Sequence, residues 1–495
     1  MKSILNIILL FIALNLKAQQ SIEILNADTT FGNIKNHADY WRLVGNVKFK
    51  YNNTVMYCDS AHHFTKKEQI NAFGEIKIFQ GDTLTITAKK LTYYGEKKIA
   101  NLSKNVILKD KYMSLYTEYL SYNLNSNIAS FSNYAKIIEN EKTITSKKGQ
   151  YKANLHHYIF KDSVIISSKD YNITTENMHY NTNNGIASFF GPSNIVSKTK
   201  NIYCENGWYN TRNDNAQFKN NAIINTNKYI LKGDSMFYNK KLGYGKALKN
   251  VEIINKSKKI KLFGEIGEYF ENKNYIEIRE NTLLEMLIDE DTLFMHATKF
   301  INHQLEEEEY VIAQKNIKFF SKNLQGKCDS LTYNLTKSEI EMFVKPIIWV
   351  NDFQITSDTM QFIIKNNNIE KLFLVNNPLI ISEKDSLDYN QIKGKNMTVC
   401  FSKNKIQKID VQGNGQSIFI VNDEKNNEKI AINYIECSNL SLHFKDKKID
   451  KINYKIKPNS ITTPYQDLNE KDRYLKDFNW RKKEQPTSKK DLFKK

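Results

Sequence analysis

The stretch Leu84–Asp110, "LTITAKKLTYYGEKKIANLSKNVILKD", carries the pattern that decides the fold. Ile86 and Ala88 alternate with polar neighbours, and Leu91 and Tyr93 resume the alternation one residue out of phase. A polar turn at Gly95–Lys98 follows, then Ala100 and Leu102, then Val106 and Leu108. Alternation of this kind is strand chemistry, because successive side chains of a strand point to opposite faces. With Tyr93 as an anchor, the same frame recurs at His63, Tyr122, Tyr151, Tyr180, Tyr209, Tyr238, Tyr269, Asn302, Tyr333, Phe362, Val399 and Leu442. The first seven of these gaps stay within two residues of 29, the signature of a repeat protein.

Each frame repeats a set of residue classes. Seven residues before the anchor the side chain is apolar, as at Ile86, Leu115, Ile144, Ile173, Ile202 and Leu231. Two before it stand Leu91, Leu120, Met178 and Met236, and the anchors themselves are mostly tyrosine: Tyr93, Tyr122, Tyr151, Tyr180, Tyr209, Tyr238. Five before it only Gly, Ala, Ser, Thr or Cys occurs, and four before it charge dominates (Asp59, Lys89, Glu118, Lys147). Positions −7 and −5 share one face of a strand, as do −2 and 0, but the step between the two pairs is three. All four can point inward only if the strand takes an extra residue between them, as at a bulge or corner. The crowded inside of that corner admits a small side chain at −5, and its splayed outside leaves −4 in water. Each repeat is expected to supply about three short strands and one corner. The fold class is all-β: an elongated, solenoid-like stack of strands with one sharp corner per unit, built from about thirteen repeats, each burying its face against its neighbours.

Charge and compartment narrow the function. The chain has 495 residues and a formal net charge of +18, which favours anionic partners such as lipid headgroups, nucleic acid or acidic polysaccharide. Lys2, the apolar run Ile4–Leu14 and the small Ala18 form a secretory signal peptide, residues 1–18, too short to span a membrane. Export makes nucleic acid the weakest of those partners, so none is expected. The mature chain is read as exported, with outer-membrane association left open. The run "HQLEEEEY" (His303–Tyr310) reads as an acidic insertion between repeats at 19–302 and a degenerate continuation at 311–458. Residues 459–495 read as a basic, disordered tail, with ten basic and four acidic residues in Lys471–Lys495.

Four of the five cysteines, Cys58, Cys204, Cys328 and Cys437, occupy the small corner position −5. The nearest two are three repeats apart, at least about 14 Å at one 4.8 Å rung per repeat, beyond disulfide reach. They are expected to be buried structural thiols. The doublets His62–His63 and His156–His157 lack a spaced partner motif for zinc. No HExxH, GxSxG, phosphate-cradling glycine loop or calcium loop occurs. No catalytic residue, metal or cofactor is expected, and no enzyme.

The units "GNV/GEI…GDTLT…A-K-x-L-x-Y…NV-x-L-x-D", together with "RLVGNVKFKYNNTVMYCDSA" and "IYCENGWYNTRNDNAQF", resemble the OstA-like (organic solvent tolerance) proteins. These are similar to the periplasmic bridge protein of lipopolysaccharide transport. The likeness is sharpest over residues 25–270. It implies a β-jellyroll, open along one side, whose interior holds the acyl chains of lipopolysaccharide or a lipid A-like glycolipid. It also implies end-to-end sheet-edge pairing with related jellyroll domains of an inner-membrane transporter and an outer-membrane receptor. In that reading the −7, −2 and 0 residues named above line a lipid groove. A structural or polysaccharide-binding β-solenoid of the envelope, with no groove, is the alternative the residues leave open.

Overall fold

The computed structural model describes residues 22–32, 39–82, 84–288, 291–402, 405–423, 425–445 and 448–494, so the signal-peptide reading lies outside the described residues. Apart from a few 3₁₀ turns, the regular structure is antiparallel strand. The chain divides into two compact units, residues 1–218 and 219–495. That division does not fall at the acidic run, which is itself a hairpin. Lys299–Leu305 pairs with Glu308–Phe320 there, within the sheet of the second unit.

Most repeats of the first unit contain two long strands in place of three short ones, while at residues 128–152 each is split at its corner into two. Gln69–Gln80 and Leu84–Tyr94 pair along their whole length, twelve and eleven residues, and both bend in the middle. The second and third apolar segments are therefore the two arms of one strand. The corner is a bulge: Phe73 pairs Lys90 and Ile76 pairs Ala88, so Gly74 and Glu75 face Lys89 alone. The residue at −4 is thus the unpaired single residue that the alternation required. The opposing strand supplies a pair at which positive φ recurs: Lys104–Asn105, Asp162–Ser163, Asn220–Asn221, Lys249–Asn250, Lys315–Asn316 and Asn376–Asn377. After Gly, Asn tolerates that left-handed region best, and it stands in five of these six pairs. The charges at −4 serve the corner. Asp59 accepts a hydrogen bond from the Glu75 amide at 3.0 Å, Asp234 accepts from Asn250, and Asp358 accepts from Asn377.

The inside of the corner is as tight as the residue classes imply. Cys58, Ala88, Thr117, Ser146, Thr175, Cys204, Gly264, Ala297, Cys328, Ser357 and Cys437 are all buried. A Cβ added at Gly264 would collide with the Ile278 side chain. Hydroxyls at this position close the local ladder: Ser146 Oγ donates to the Lys148 carbonyl at 3.1 Å and Ser357 Oγ to that of Thr359 at 2.8 Å.

The segment after Pro458 is not a disordered tail. Asn459–Pro464 adds a strand to Lys429–Lys445. Residues 465–494 then run back over the outer face of the second unit, with Leu475 and Leu492 buried. Composition misread it because nine Lys and Arg residues in 465–494 mask, but do not displace, Tyr465, Leu468, Tyr474, Leu475, Phe478, Trp480 and Leu492. Those side chains bury enough apolar surface to offset the cost of ordering the segment.

Candidate functional site: the apolar slit of the first unit

The two arms of each bent strand face one another across a slit. In the first unit its lining is what the frame predicts. Ile86, Leu115, Ile144 and Ile173 at −7, Leu91, Leu120 and Met178 at −2, and Tyr93, Tyr122, Tyr151 and Tyr180 at 0 are all buried in one apolar cluster. Ile202 is also buried, and Tyr209 packs against the cluster while partly exposed. In the second unit Leu231 is partly buried against that unit's own core, Met236 is buried and Tyr238 is half-exposed. The slit lining is therefore most regular from Ile86 to Tyr180.

Phenol groups close the mouth of this slit. Tyrosines near the tip of one arm reach polar groups at the tip of the other, with the same offset each time. Tyr122 donates to Gln80 and Tyr151 to Asp110. Tyr180 reaches both Glu139 oxygens, at 2.8 and 2.6 Å. Acceptor and donor are 42, 41 and 41 residues apart, so the bonds form a ladder of rungs that follows the 29-residue period. Burial keeps the hydroxyls protonated, reinforced at Tyr151 and Tyr180 by their carboxylate acceptors. Burial pushes Tyr122 up to about 12 despite the Gln80 bond. Burial, with Asp110 beside one and Glu139 beside the other, raises Tyr151 and Tyr180 well above the ordinary phenol range. Two buried hydroxyls in the same unit, those of Tyr93 and Tyr158, have no partner. Sequence reasoning named the tyrosines but not their acceptors. The signal was available, because Gln80, Asp110 and Glu139 are themselves 30 and 29 residues apart.

The slit is packed as it stands. A void of about 40 Å³ lies among Phe49, Met56, Ile70, Ile78, Leu91 and Tyr122. Pockets that enclose a drug-sized ligand run to roughly 300–1,000 Å³.

The corner cysteines are unpaired. Burial pushes the Cys58 and Cys328 thiols up to about 12 and Cys204 to about 11, far from the thiolate that nucleophilic or metal chemistry uses. Burial likewise holds His62, His63 and His157 below the usual imidazole range. Among the described residues no three His, Cys, Asp or Glu side chains are grouped to hold a metal ion.

Bent antiparallel strands stacked around an apolar slit define the class: an all-β repeat of bent strands. Residues 19–176 and 172–234 match the family of OstA-like proteins. No curated protein matches the chain. Among solved structures, one that aligns is LptH from Pseudomonas aeruginosa, the LptA-homologous periplasmic component of the conserved lipopolysaccharide transport device. It is 10% identical, with a TM-score of 0.22, over 28% of this chain and 93% of that one.

Proposed function

We propose that the protein is a periplasmic lipid-binding bridge component of lipopolysaccharide transport and outer-membrane assembly, and that acyl chains enter the slit of its first unit. The observation that carries this reading is the match of residues 19–234 to the OstA-like family, over the same stretch in which the apolar lining is most regular. Entry requires the two arms to part. The long strands of the first unit carry a bulged corner at which such motion can be absorbed, and the mouth is held by hydrogen bonds rather than by backbone pairing. Burial of an acyl chain is favourable by about 0.8 kcal/mol per methylene, so a dozen methylenes outweigh three such bonds at about 1 kcal/mol each.

Sheet edges supply the means of end-to-end assembly. Among the described residues Glu23–Asn26 and Thr29–Gly32 pair with Trp41–Tyr51. In the second unit Lys448–Lys455 and Asn459–Pro464 pair with Lys429–Lys445. Each presents a second row of backbone groups to which a related jellyroll can add a strand.

Photo-crosslinking in intact cells tests the proposal. A probe at Ile144 or Tyr180, inside the slit, is expected to capture lipopolysaccharide. Adducts only from an outward site such as Lys147 would favour a closed β-solenoid that meets polysaccharide on its outer face.

A further inference from the structure

The outer face of the second unit carries a row of side chains that is out of place on a solvated sheet. Through the strand register, Phe294 pairs Phe320, and Gln325, Trp349, Gln354, Ile381, Gln391 and Ile418 follow as successive neighbours across six strands. The three glutamines sit at position −8, next to the inward apolar residue at −7. In the first unit position −8 holds Val55, Thr85, Ser114, Thr143, Asn172 and Asn201, all half-buried or exposed. In the second unit Gln325 is 7% exposed, Gln354 1% and Gln391 0%. Trp349, between two of them, is 1% exposed.

What covers them is residues 465–494, and two of the glutamines read its backbone. Gln391 Nε2 donates to the Arg473 carbonyl and its Oε1 accepts from the Leu475 amide, each at 2.8 Å. Gln354 repeats this, with Nε2 to the Asn479 carbonyl and Oε1 from the Arg481 amide, each at 2.7 Å. Gln325 Oε1 accepts from the Gln485 side chain at 2.7 Å. Beyond that, Lys489 lies 4.4 Å over the ring of Phe294, which is the −8 residue of the preceding repeat.

The two periods agree. Adjacent glutamines are two strands apart, about 9.6 Å at a strand spacing of about 4.8 Å. The segment advances six residues from Arg473 to Asn479 and six more to Gln485, which when extended would cover about 20 Å. The excess is taken up by the turn in which the Phe478 amide donates to the Leu475 carbonyl and by the 3₁₀ turn Lys482–Glu484. Ion pairs flank the readers: Arg473 with Asp388, Lys393 with Asp477, and Lys327 with Glu484.

We propose that this face is a binding track for a backbone-presenting segment, that Gln354 and Gln391 are its readers while Gln325 holds the Gln485 side chain, and that residues 465–494 occupy it as a detachable clasp. The clasp is held by side chains that copy peptide groups, not by entry into the sheet ladder, so it can leave without unpairing a strand. Its departure would uncover a glutamine-lined face for a second segment of the same kind.

The full-length chain tests this. A specific protease site at Asn469–Lys471, which is exposed, is cut after folding, and release of the labelled C-terminal fragment is followed by anisotropy. The fragment is expected to remain bound and to exchange with excess synthetic peptide 471–494. The Gln354→Leu/Gln391→Leu double variant is expected to release it at least tenfold faster, with an unchanged β spectrum. Arg481→Pro, which removes the amide that Gln354 receives and alters only the segment, is expected to do the same. Arg481→Gln, which keeps the amide and loses the Glu484 pair, is expected to shift release less than threefold. Immediate loss of the fragment from the unmodified chain would overturn the track. Failure to exchange with peptide would overturn detachability. Release governed by salt, and indifferent to Gln→Leu and to Arg481→Pro, would overturn the glutamine reading.

Discussion

The two units are written in the same repeat and are stabilised on opposite faces. In the first, the period is strict, the slit mouth is tied by tyrosine rungs, and the outer face carries half-buried or exposed Thr, Ser and Asn. In the second, the period drifts and the outer face lies under residues 465–494. There a mouth contact runs in the reverse sense, from Tyr229 to Glu309. A bent-strand repeat therefore offers two independent places to add stability. The first unit places it where ligand entry would break it, and the second where entry would leave it intact.

The largest test of that contrast is on the outer faces. Trp349→Ala, under the clasp, is expected to cost about 3–5 kcal/mol and to expose residues 465–494 to hydrogen exchange. Tyr119→Ala, on the outer face of the first unit and 56% exposed, is expected to stay within about 0.5 kcal/mol. Equal costs in urea unfolding would show that the faces do not differ.

The corners should not distinguish the units at all. Cys204→Leu and Cys328→Leu each place a larger side chain in the crowded inside of a bend, at an expected cost of about 1–3 kcal/mol. Cys204→Ser is expected to be nearly neutral, because Ser146 already occupies the same position and donates to a carbonyl two residues on. A serine variant that folds and loses function would reopen a chemical role for the thiol.

A smaller effect is expected at the mouths. Tyr180→Phe removes the bonds to Glu139 and is expected to cost about 1 kcal/mol. Combined with Tyr151→Phe it is expected to raise uptake of an apolar dye by the first unit. Tyr229→Phe in the second unit is expected to destabilise without raising uptake. Uptake unchanged by the double variant would mean that the rungs do not gate the slit.

Much of this was legible in the sequence, and the reason is periodicity. A residue class repeated thirteen times at one offset reports its environment, so the corner at −5 and −4 and the slit lining were readable from Ile86, Ala88, Lys89 and Tyr93. The two-strand repeat was not read, because a strand bent at Lys104–Asn105 looks like two segments separated by a turn. The clasp was missed because it has no period of its own to align. Its order depends on Gln325, Gln354 and Gln391, which lie 82 to 160 residues from their partners.

Proton titration separates the two devices by sign. Burial pushes the Asp388 carboxyl up, but Lys429, Tyr465 and Arg473 outweigh it and hold it below the usual carboxylate range. Glu484, paired with Arg481 and Lys327, is likewise lowered to about 2. A carboxylate with a lowered folded value stabilises fully above its unfolded value, about 4, and loses that contribution as pH falls through the folded one. The clasp is therefore expected to loosen in acid, below about pH 4. Phenols with raised folded values act in the opposite sense: their contribution is complete below about pH 10 and is lost as pH rises toward the folded value. For Tyr122 that value is about 12, so the mouth of the first unit is expected to loosen only in alkali. Hydrogen exchange at the two extremes measures both, with protection lost over 465–494 at low pH and over the slit strands at high pH. Loss of both at the same extreme would mean that neither the carboxylates nor the phenols control opening.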